Sequence, residues 1–524
     1  MADGQAHPGP LGDPYVPDGP EDPLTDEAAH RRPETAPETG ERRMGAQEVR
    51  SRAVRGAVSV GLRNLAVRAI NLVGMVVLAR LLDPRDFGLL AFAFAVKSIS
   101  DMLAAGGLAA GLIRREQTPT RRELQATLGF QLTTTTALVC LIALSGVLFG
   151  GAAWVATVMA ASLPIFALRV PTIVMLERKL DWSLPARAEI AETVVYNVIS
   201  ISLVVAGVGV WGVAAAASAQ AVVGSALLIA GGGVGMLRPT RDPEVTRPLL
   251  RFGFHFQAVP LVGAAREQGV NMVIAAAGGI AMLGIWSAAY RVLQTMLLLL
   301  QSLWRVSYPA MARALEAGED ARPLLERILI VTAVLVGLPA VWVAGSAPDL
   351  VHTVFGPTWT DAVAVLPWGA AAFMLQGPIS TMSSGFLQAR GDVGRIVLVV
   401  LVQAAVWIVA AALLIPSLGV EGAGVSMFIG AIVYSVLTVL LVRRHVPMSV
   451  VGPMAGPVLI ATFAALAARF VADAIDPPLV GMLCSGVEGT ALYAALLFLF
   501  RRADVRTVAS TINLARRKPV AVPA

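Results

Sequence analysis

Residues 396–415 read IVLVVLVQAAVWIVAAALLI, a run of 20 residues without a charged side chain. An α-helix rises about 1.5 Å per residue, so a helix of this length spans about 30 Å, the thickness of the hydrocarbon core of a bilayer. A helix that is apolar on every side must be buried in a protein core or in a membrane. We interpret this run as a membrane-spanning helix.

The rest of the chain repeats this pattern. Of its 524 residues 56% are hydrophobic and 15% are charged, against about 25% charged residues in soluble domains. The sequence predicts an all-α polytopic membrane protein with about 14 transmembrane helices. The predicted segments cover residues 57–78, 87–113, 124–149, 152–176, 184–207, 212–236, 252–275, 283–310, 324–344, 362–387, 396–415, 423–442, 450–471 and 479–500.

Two polar tails flank the apolar body. Residues 1–50 contain eight prolines and eleven acidic residues without apolar periodicity, so we predict a disordered tail and no signal peptide. Residues 503–524 form the second predicted tail. Cys140 and Cys484 fall inside apolar runs, which predicts small buried side chains rather than a disulfide.

Arginine residues alternate between the two ends of the predicted helices. Loops after even-numbered segments carry arginine, whereas loops after odd segments from the third onward carry neither lysine nor arginine. Arg80 and Arg85, in the first loop, are the exception. Because basic loops stay on the cytoplasmic side, the pattern predicts that both termini are cytoplasmic. Basic residues in the even loops and at their edges include Arg114, Arg115, Arg121, Arg122, Arg178, Lys179, Arg238, Arg241, Arg247, Arg313, Arg322, Arg327, Arg390, Arg395, Arg443 and Arg444.

Five stretches carry a resemblance to a known family. They are LARLLDPRDFG (78–88), LERKLDW (176–182), GVGVWG (207–212), GGIAMLGIWSAAYR (278–291) and QARGD (388–392). In this order they resemble the polysaccharide flippases of the multidrug/oligosaccharidyl-lipid/polysaccharide exporter superfamily, over residues 53–445. The first and fourth stretches also resemble each other, with Gly88 and Gly284 in matching positions, as expected for a duplicated transporter.

The resemblance implies an architecture, a mechanism and a cargo. It implies two six-helix lobes around a central cavity, residues 51–240 and 241–445, followed by two further helices in residues 446–502. It also implies alternating access in the bacterial inner membrane and a lipid-linked glycan as cargo, typically carried on undecaprenyl diphosphate. One departure concerns position 270, where many relatives carry Asp and this chain has Val270.

Charged residues inside the apolar segments are the candidate site, because a charge at mid-membrane is costly and tends to serve a cavity or a partner. We interpret Arg68, Lys97, Arg266 and Arg291 as cavity cations that bind the diphosphate and its first sugars, with structural ion pairing as the alternative. Lys97 and Asp101 are spaced to pair within one helix. Candidate coupling carboxylates are Asp101, Glu192 and Glu267.

The sequence contains no pattern typical of an enzyme. It has three lysines, none of them after a glycine, so it carries no P-loop, and it has no metal-ligand spacing of Cys and His. We expect no catalytic residue, cofactor, metal or nucleic-acid partner. We expect contacts with membrane lipid, and the N-terminal tail is a candidate docking arm for polysaccharide assembly proteins. The alternatives are a cation-coupled drug exporter of the same superfamily, a membrane glycan polymerase or ligase, and a scaffold without transport.

Overall fold

The computed structural model describes residue 64 and residues 66–516, with every side chain except those of residues 254–260, 298–299, 302, 304–306, 512 and 514–516. The predicted disordered tail at residues 1–50 lies outside the described residues. The described chain is built of helices: α1 (66–81), α2 (Pro84–Ala105), α3 (Leu108–Arg114), α4 (Arg121–Phe149), α5 (Ala152–Ala160), α6 (Ser162–Leu168), α7 (Val170–Arg178), α8 (Ser183–Val205), α9 (Val210–Gly231), α10 (Pro243–Glu316), α11 (Ala321–Gly345), α12 (Ala347–Val354), a 3₁₀ helix (Pro357–Ala364), α13 (Val365–Ala389), α14 (Val393–Leu418), α15 (Val420–Arg443), α16 (Val451–Ala472), α17 (Pro478–Phe500) and α18 (Arg502–Arg516).

The chain is a multi-pass membrane protein. Eleven described helices are long and apolar enough to cross a membrane, or twelve if α5–α7 count as one bent span. Helix α10 contributes one of these spans although it is divided by a break, and the described part of α1 is short. Fourteen spans therefore stays a prediction. Residues predicted as the C-terminal tail are helical through Arg516 in α18.

The sequence LLDPRDFG at residues 81–88 forms the turn into α2. The Asp83 side chain accepts a hydrogen bond from the backbone N–H of Asp86 at 2.8 Å and caps the helix. Pro84 occupies the first turn, where its missing N–H costs nothing. The stretch that carries the family resemblance is thus a helix-start signal.

Helix α10 is a helical hairpin rather than a straight rod. Gly279 has φ 83° and ψ 171°, a conformation that favours glycine, and it breaks the helix. The Trp286 indole N–H donates to Asn271 Oδ1 at 3.2 Å. Fifteen residues along a straight helix would separate the two backbones by about 22 Å, so the halves fold back on each other. The sequence predicted that one helix ends at residue 275 and the next begins at residue 283, and the break at Gly279 lies between these two positions.

The two glycines of the sequence repeat face each other across α2 and α10. A Cβ at Gly88 would lie 1.8 Å from the Ile280 carbonyl oxygen, and one at Gly284 would lie 1.8 Å from that of Pro84. Only glycine permits two backbones to approach this closely. The repeat positions therefore form a reciprocal contact between the N-terminal half of the chain (α1–α9) and the C-terminal half (α10–α18).

A second contact between the halves lies at the same end of the bundle. The buried Trp359 indole N–H donates to the Ala79 carbonyl at 3.0 Å, and its ring meets that of Phe87 edge-on at 4.9 Å. The Arg80 guanidinium donates to the Thr353 carbonyl. We call this set of contacts, Ala79, Arg80 and Phe87 with Thr353 and Trp359, the tryptophan latch.

Arginines at the opposite end hold loops in place. Arg178 donates to the carbonyls of Leu112 and Arg115 and so caps the end of α3. Arg122 on α4 donates to Asp242, the residue before α10, at 2.5 Å. Arg178 and Arg122 therefore stabilise loops through direct contacts, in addition to their contribution to the charge pattern.

The prediction of buried cysteines is wrong, because Cys140 and Cys484 are both exposed and free. They lie on outward faces of α4 and α17. An apolar run in a membrane helix has one side that faces away from the protein, and the sequence alone did not separate that side from the packed one.

Candidate functional site

A polar cavity of about 520 Å³ lies inside the N-terminal half. Helices α1, α2, α4, α6, α7, α8 and α9 contribute its walls. Three of the predicted site residues, Lys97, Asp101 and Glu192, line it together. The remaining charged and amide side chains of the wall are Asn71, Gln131, Arg169, Glu189 and Gln220.

The cavity forms where a membrane helix is broken. Helices α5 and α6 meet α7 at 49°, and Arg169 sits at the junction. Pro171 in the first turn of α7 lacks an N–H and its ring crowds the preceding turn, which explains the bend. Broken helices inside a membrane are tolerated where they line a cavity or are covered by protein. The break thus places Arg169 in the cavity wall.

Arg169 and Glu192 form an ion pair in the cavity wall. The Arg169 guanidinium also lies 4.4 Å from the centre of the Phe166 ring, and the Lys97 ammonium lies 4.9 Å from the same centre. No ion pair joins Lys97 to Asp101 among the described residues, so the predicted pairing within α2 is not seen. Lys97 is instead held over an aromatic face, a favourable setting for a cation.

Glycines on neighbouring helices accommodate the polar side chains of α8. A Cβ at Gly224 on α9 would lie 1.6 Å from Glu192 Oε1, and one at Gly74 on α1 would lie 1.6 Å from Asn197 Oδ1. The Asn197 amide donates to Asn71 Oδ1 at 3.1 Å. Helix α8 is therefore fixed between α1 and α9 by side chains that enter glycine notches.

The C-terminal half contains a separate polar cluster on α10, α13 and α14. Arg266 donates to Gln403 Oε1 at 3.1 Å, and the Gln403 amide donates to Gln376 Oε1 at 2.8 Å. The Arg266 guanidinium lies 5.8 Å from the centre of the Trp407 ring. Glu267 is the next residue on α10. This cluster is outside the polar cavity.

Arg291 and Arg68 lie in two further places. The Arg291 guanidinium is 5.9 Å from the centre of the Phe87 ring on α2, and it interacts electrostatically with Tyr196 on α8, so it lies where the halves meet. Arg68 is exposed on α1. The four predicted cations are therefore not gathered in the polar cavity, and Lys97 is the one that lines it. The part of the chain that the structure describes holds no group of three or more His, Cys, Asp or Glu side chains fit for a metal ion.

Sequence reasoning missed Arg169. It lies inside residues 152–176, which were interpreted as one apolar segment, although an arginine in such a run is itself a signal of a functional site. Its partner Glu192 was a candidate. Gln131, on α4, was also missed, because an amide inside an apolar run is weak evidence alone.

Comparison with solved structures identifies the fold. The chain resembles a lipid II flippase, MurJ, in an inward closed conformation, with a TM-score of 0.65 and 12% identity over 86% of this chain and 100% of that one. It also resembles an inward-facing multidrug resistance MATE family transporter of the MOP superfamily, with a TM-score of 0.57 and 16% identity over 74% of this chain and 97% of that one. At these identities the likeness establishes the fold alone.

A comparison with curated proteins gave no match. A family model described as "Polysaccharide biosynthesis protein" matches residues 77–364, more than half of the chain. The match includes the start of α2, the broken helix α5–α7 and the hairpin of α10. The chain belongs to the polysaccharide biosynthesis protein family.

Proposed function

We propose that this protein is a secondary transporter that flips lipid-linked oligosaccharide across the bacterial inner membrane by alternating access. The observation that carries the proposal is the polar cavity of about 520 Å³ inside a membrane-embedded half. A cavity lined by charges and amides inside the bilayer suits a hydrophilic cargo. Membership in a polysaccharide biosynthesis family supports a saccharide as that cargo.

A lipid-linked cargo also needs a place for its apolar chain. Two apolar cavities, of about 410 and 430 Å³, share Leu375 and Val458 as lining residues. Together they follow α16 along α13 and α15, with Arg469 at one end and Arg443 at the other. Two adjoining apolar cavities suit a polyprenyl chain, which is apolar along its whole length and exchanges lipid contacts for protein contacts there.

Alternating access requires two ends that open in turn. The tryptophan latch and the Gly88–Gly284 contact join the halves at the end that the arginine pattern assigns to the exterior. The described conformation is closed there, and we propose that the latch opens to release cargo outside. Both termini would then face the cytoplasm.

Other charged residues, inside and outside the cavity, receive roles within the same proposal. Arg291, where the halves meet, and Arg266 are proposed to bind the diphosphate, because guanidinium groups match phosphate oxygens. Arg68, exposed on α1, is proposed to attract the headgroup before it enters. Asp101, Glu192 and Glu267 are the proposed coupling carboxylates. The N-terminal tail is a proposed docking arm for assembly proteins.

A cation-coupled drug exporter is the second candidate, and one observation favours it. The polar cavity is lined by the carboxylates of Asp101, Glu189 and Glu192 as well as by Lys97 and Arg169. Carboxylates that line a cavity attract cationic compounds.

Reconstitution separates the two candidates. The purified protein in liposomes is given a fluorescent polyprenyl-diphosphate oligosaccharide in one assay and ethidium, a cationic drug, in the other. We expect flipping of the lipid-linked saccharide above empty liposomes and no ethidium transport. Ethidium transport without saccharide flipping would replace the proposal with the drug exporter.

A further inference from the structure

Helix α18 begins at the level where the membrane-spanning body ends. Helix α17 is long and apolar enough to cross a membrane. The side chains of its last three residues, Phe498, Leu499 and Phe500, are between 59% and 68% exposed, as expected for residues that face lipid. Arg501 alone separates α17 from α18. Since a charged residue directly follows the last lipid-facing ring, α18 lies beside the headgroup layer of the bilayer.

Arg501 ties the start of α18 to the transmembrane helices. Its Nε atom donates to Asp504 Oδ2 at 2.7 Å, and one of its terminal nitrogens donates to the Gly452 carbonyl at the start of α16 at 3.2 Å. Asp504 is 5% exposed. The first turn of α18 is therefore held against α16, with its carboxylate facing inward and paired.

Further contacts fix the inner face of α18. Val505 and Val508 pack against the buried apolar core. Arg327, near the start of α11, donates to Ser510 Oγ at 2.8 Å and to Thr511 Oγ1 at 3.1 Å. The helix is thus docked across the ends of α11, α16 and α17, and one side of it is left to the surroundings.

The outer face of α18 combines arginine with small or polar residues. Arg502, Arg506, Ala509 and Asn513 are exposed and follow the spacing of one helix face, with the exposed Ala503 beside them. No large apolar side chain belongs to this set, so the face is not suited to insertion into the hydrocarbon core. It offers instead two guanidinium groups one helical turn apart.

Contacts with α17 place Arg502 on the lipid side of α18. Its Nε atom donates to the Phe498 carbonyl at 3.1 Å, and its guanidinium lies 5.3 Å from the centre of the Phe498 ring. Because that ring belongs to the lipid-facing end of α17, the positive charge lies at the boundary between hydrocarbon and headgroups. Arg506 forms no hydrogen bond or ion pair with a residue that the structure describes, so its donors are available to a ligand.

The charge of this segment favours an anionic surface. Residues 501–518 contain five arginines and one lysine against one acidic residue, Asp504, whose carboxylate is already paired with Arg501. A cluster of about 4–8 basic residues directly after a transmembrane helix, or on an amphipathic helix, is typical of binding to anionic lipids. Each basic residue near such a surface strengthens the attraction by a factor of about five.

We propose that the outer face of α18 binds the headgroups of anionic phospholipids, with Arg502 and Arg506 as the contact residues. The partner is the bilayer surface rather than a transported molecule, because the two arginines lie on an open helix face beside Phe498 and line none of the three cavities described above. A bound lipid surface braces α18 and, through Arg501 and Arg327, the ends of α16 and α11. The inference does not depend on the proposed function.

Hydrogen–deuterium exchange of the full-length protein in nanodiscs tests the proposal. One set of nanodiscs contains phosphatidylcholine alone, and the other contains an equal mixture of phosphatidylcholine and phosphatidylglycerol. We expect the backbone amides of residues 503–511 to exchange at least about fivefold more slowly in the anionic nanodiscs, because bound lipid suppresses local opening of α18. High salt should remove the difference, since it screens exposed charges. Equal exchange in the two nanodiscs overturns the proposal.

Variants of the outer face test the two residues. Arg506→Gln removes a side chain without structural contacts, so it should reduce the difference between the nanodiscs severalfold while exchange in phosphatidylcholine stays as in the wild type. Adding Arg502→Gln should abolish the difference. Arg502→Lys combined with Arg506→Lys keeps both charges and should retain it.

A matched control removes the same charge elsewhere. Arg238→Gln combined with Arg241→Gln, in the exposed loop before α10, should leave the difference in exchange of α18 at its wild-type size. A wild-type difference in the glutamine variants of α18, or its loss in the lysine variant, would show that Arg502 and Arg506 are not the electrostatic contacts. Loss of the difference in the loop variant would show a general effect of protein charge and would also contradict the assignment.

Discussion

The Arg169–Glu192 pair is the most telling contact at the scale of single residues. Two charges removed from water are stabilised only by each other and by hydrogen bonds, and their net contribution to stability is small. Removing one partner destabilises the protein much more than the net contribution of the pair suggests, because the other charge is then buried alone. Glu192 is 7% exposed, and its carboxylate fills the notch at Gly224.

Arg169→Gln should therefore lower the free energy of unfolding by about 3–5 kcal/mol. Glu192→Gln introduced into the same protein should restore most of that loss, because no unpaired charge is left. Thermal unfolding in detergent of the wild type, both single variants and the double variant measures the coupling. If the losses in free energy of unfolding of the two single variants add up to the loss in the double variant, Arg169 and Glu192 do not interact energetically.

The sequence predicted part of this site, and the reason is visible in single residues. Lys97, Asp101 and Glu192 stand out because each is a charge within an apolar run. Their convergence depends on how α2, α7 and α8 pack, which no spacing along one helix reveals. Sequence spacing instead favoured a contact between Lys97 and Asp101, since the two are four residues apart, whereas the packing brings Phe166 of α6 under the ammonium.

The tryptophan latch belongs to the scale of elements. A buried indole N–H bonded to the last turn of α1 satisfies a carbonyl that the helix itself leaves free. The bond ties α1 and α2 to the 3₁₀ helix of the other half. Breaking it should favour the conformation open at that end.

Trp359→Phe keeps an aromatic ring but removes the donor, so it should raise the open population. To measure this population, Cys140 and Cys484 are replaced by Ser and a single cysteine is introduced at the cavity position by Thr135→Cys. A membrane-impermeant thiol reagent is added outside, and the rate at which it labels this cysteine is measured. We expect a severalfold faster rate than in the same protein with Trp359. Trp368→Phe is the matched control, because its indole bonds to Glu421 within one half. Equal labelling rates with and without the Trp359→Phe substitution would show that the latch does not control opening at that end.

Helix α12 carries a carboxylate whose titration affects stability. Asp349 is buried, and its Oδ2 atom has no hydrogen-bond partner among the residues that the structure describes. Burial, and next the charge of Asp473, raise the pKa of Asp349 above its ordinary value of 3.8. The folded protein keeps this proton at pH values where the unfolded chain has lost it, so the contribution is complete below the unfolded pKa and is lost as pH rises through the folded one.

Asp349→Asn is neutral at every pH and should escape this loss. The melting temperature of the variant minus that of the wild type should increase from pH 4 to pH 7. Differential scanning fluorimetry at several pH values measures it. Parallel curves for the two proteins would mean that Asp349 titrates normally.

Element boundaries were predictable where turn chemistry is strong. The start of α2 follows from Asp83 and Pro84, and the break in α10 follows from Gly278 and Gly279. The bend at Arg169 was not predicted, because Pro164 and Pro171 lie in a continuous apolar run and prolines are tolerated in membrane helices. The latch was not predictable either, since Ala79 and Trp359 are 280 residues apart.

At the scale of the whole molecule the arginine pattern predicts the orientation. Reporter fusions after Arg114, Arg241 and Arg443 should report the cytoplasm, and fusions within residues 150–151 and 346–358 should report the exterior. The latter segment contains part of the latch. A cytoplasmic signal from residues 346–358 would mean that the latch closes the cytoplasmic end of the protein rather than the exterior end.

We propose that the protein moves lipid-linked oligosaccharide from the inner to the outer leaflet. Deletion of its gene, followed by leaflet-specific detection of the lipid-linked saccharide in spheroplasts with an impermeant lectin, tests this function in the cell. We expect the saccharide lipid to accumulate but to be inaccessible to the lectin until the membrane is permeabilised, and we expect expression of the wild-type protein to restore access. Normal lectin access in the deletion strain, with no second flippase of this cargo present, would exclude the proposed function.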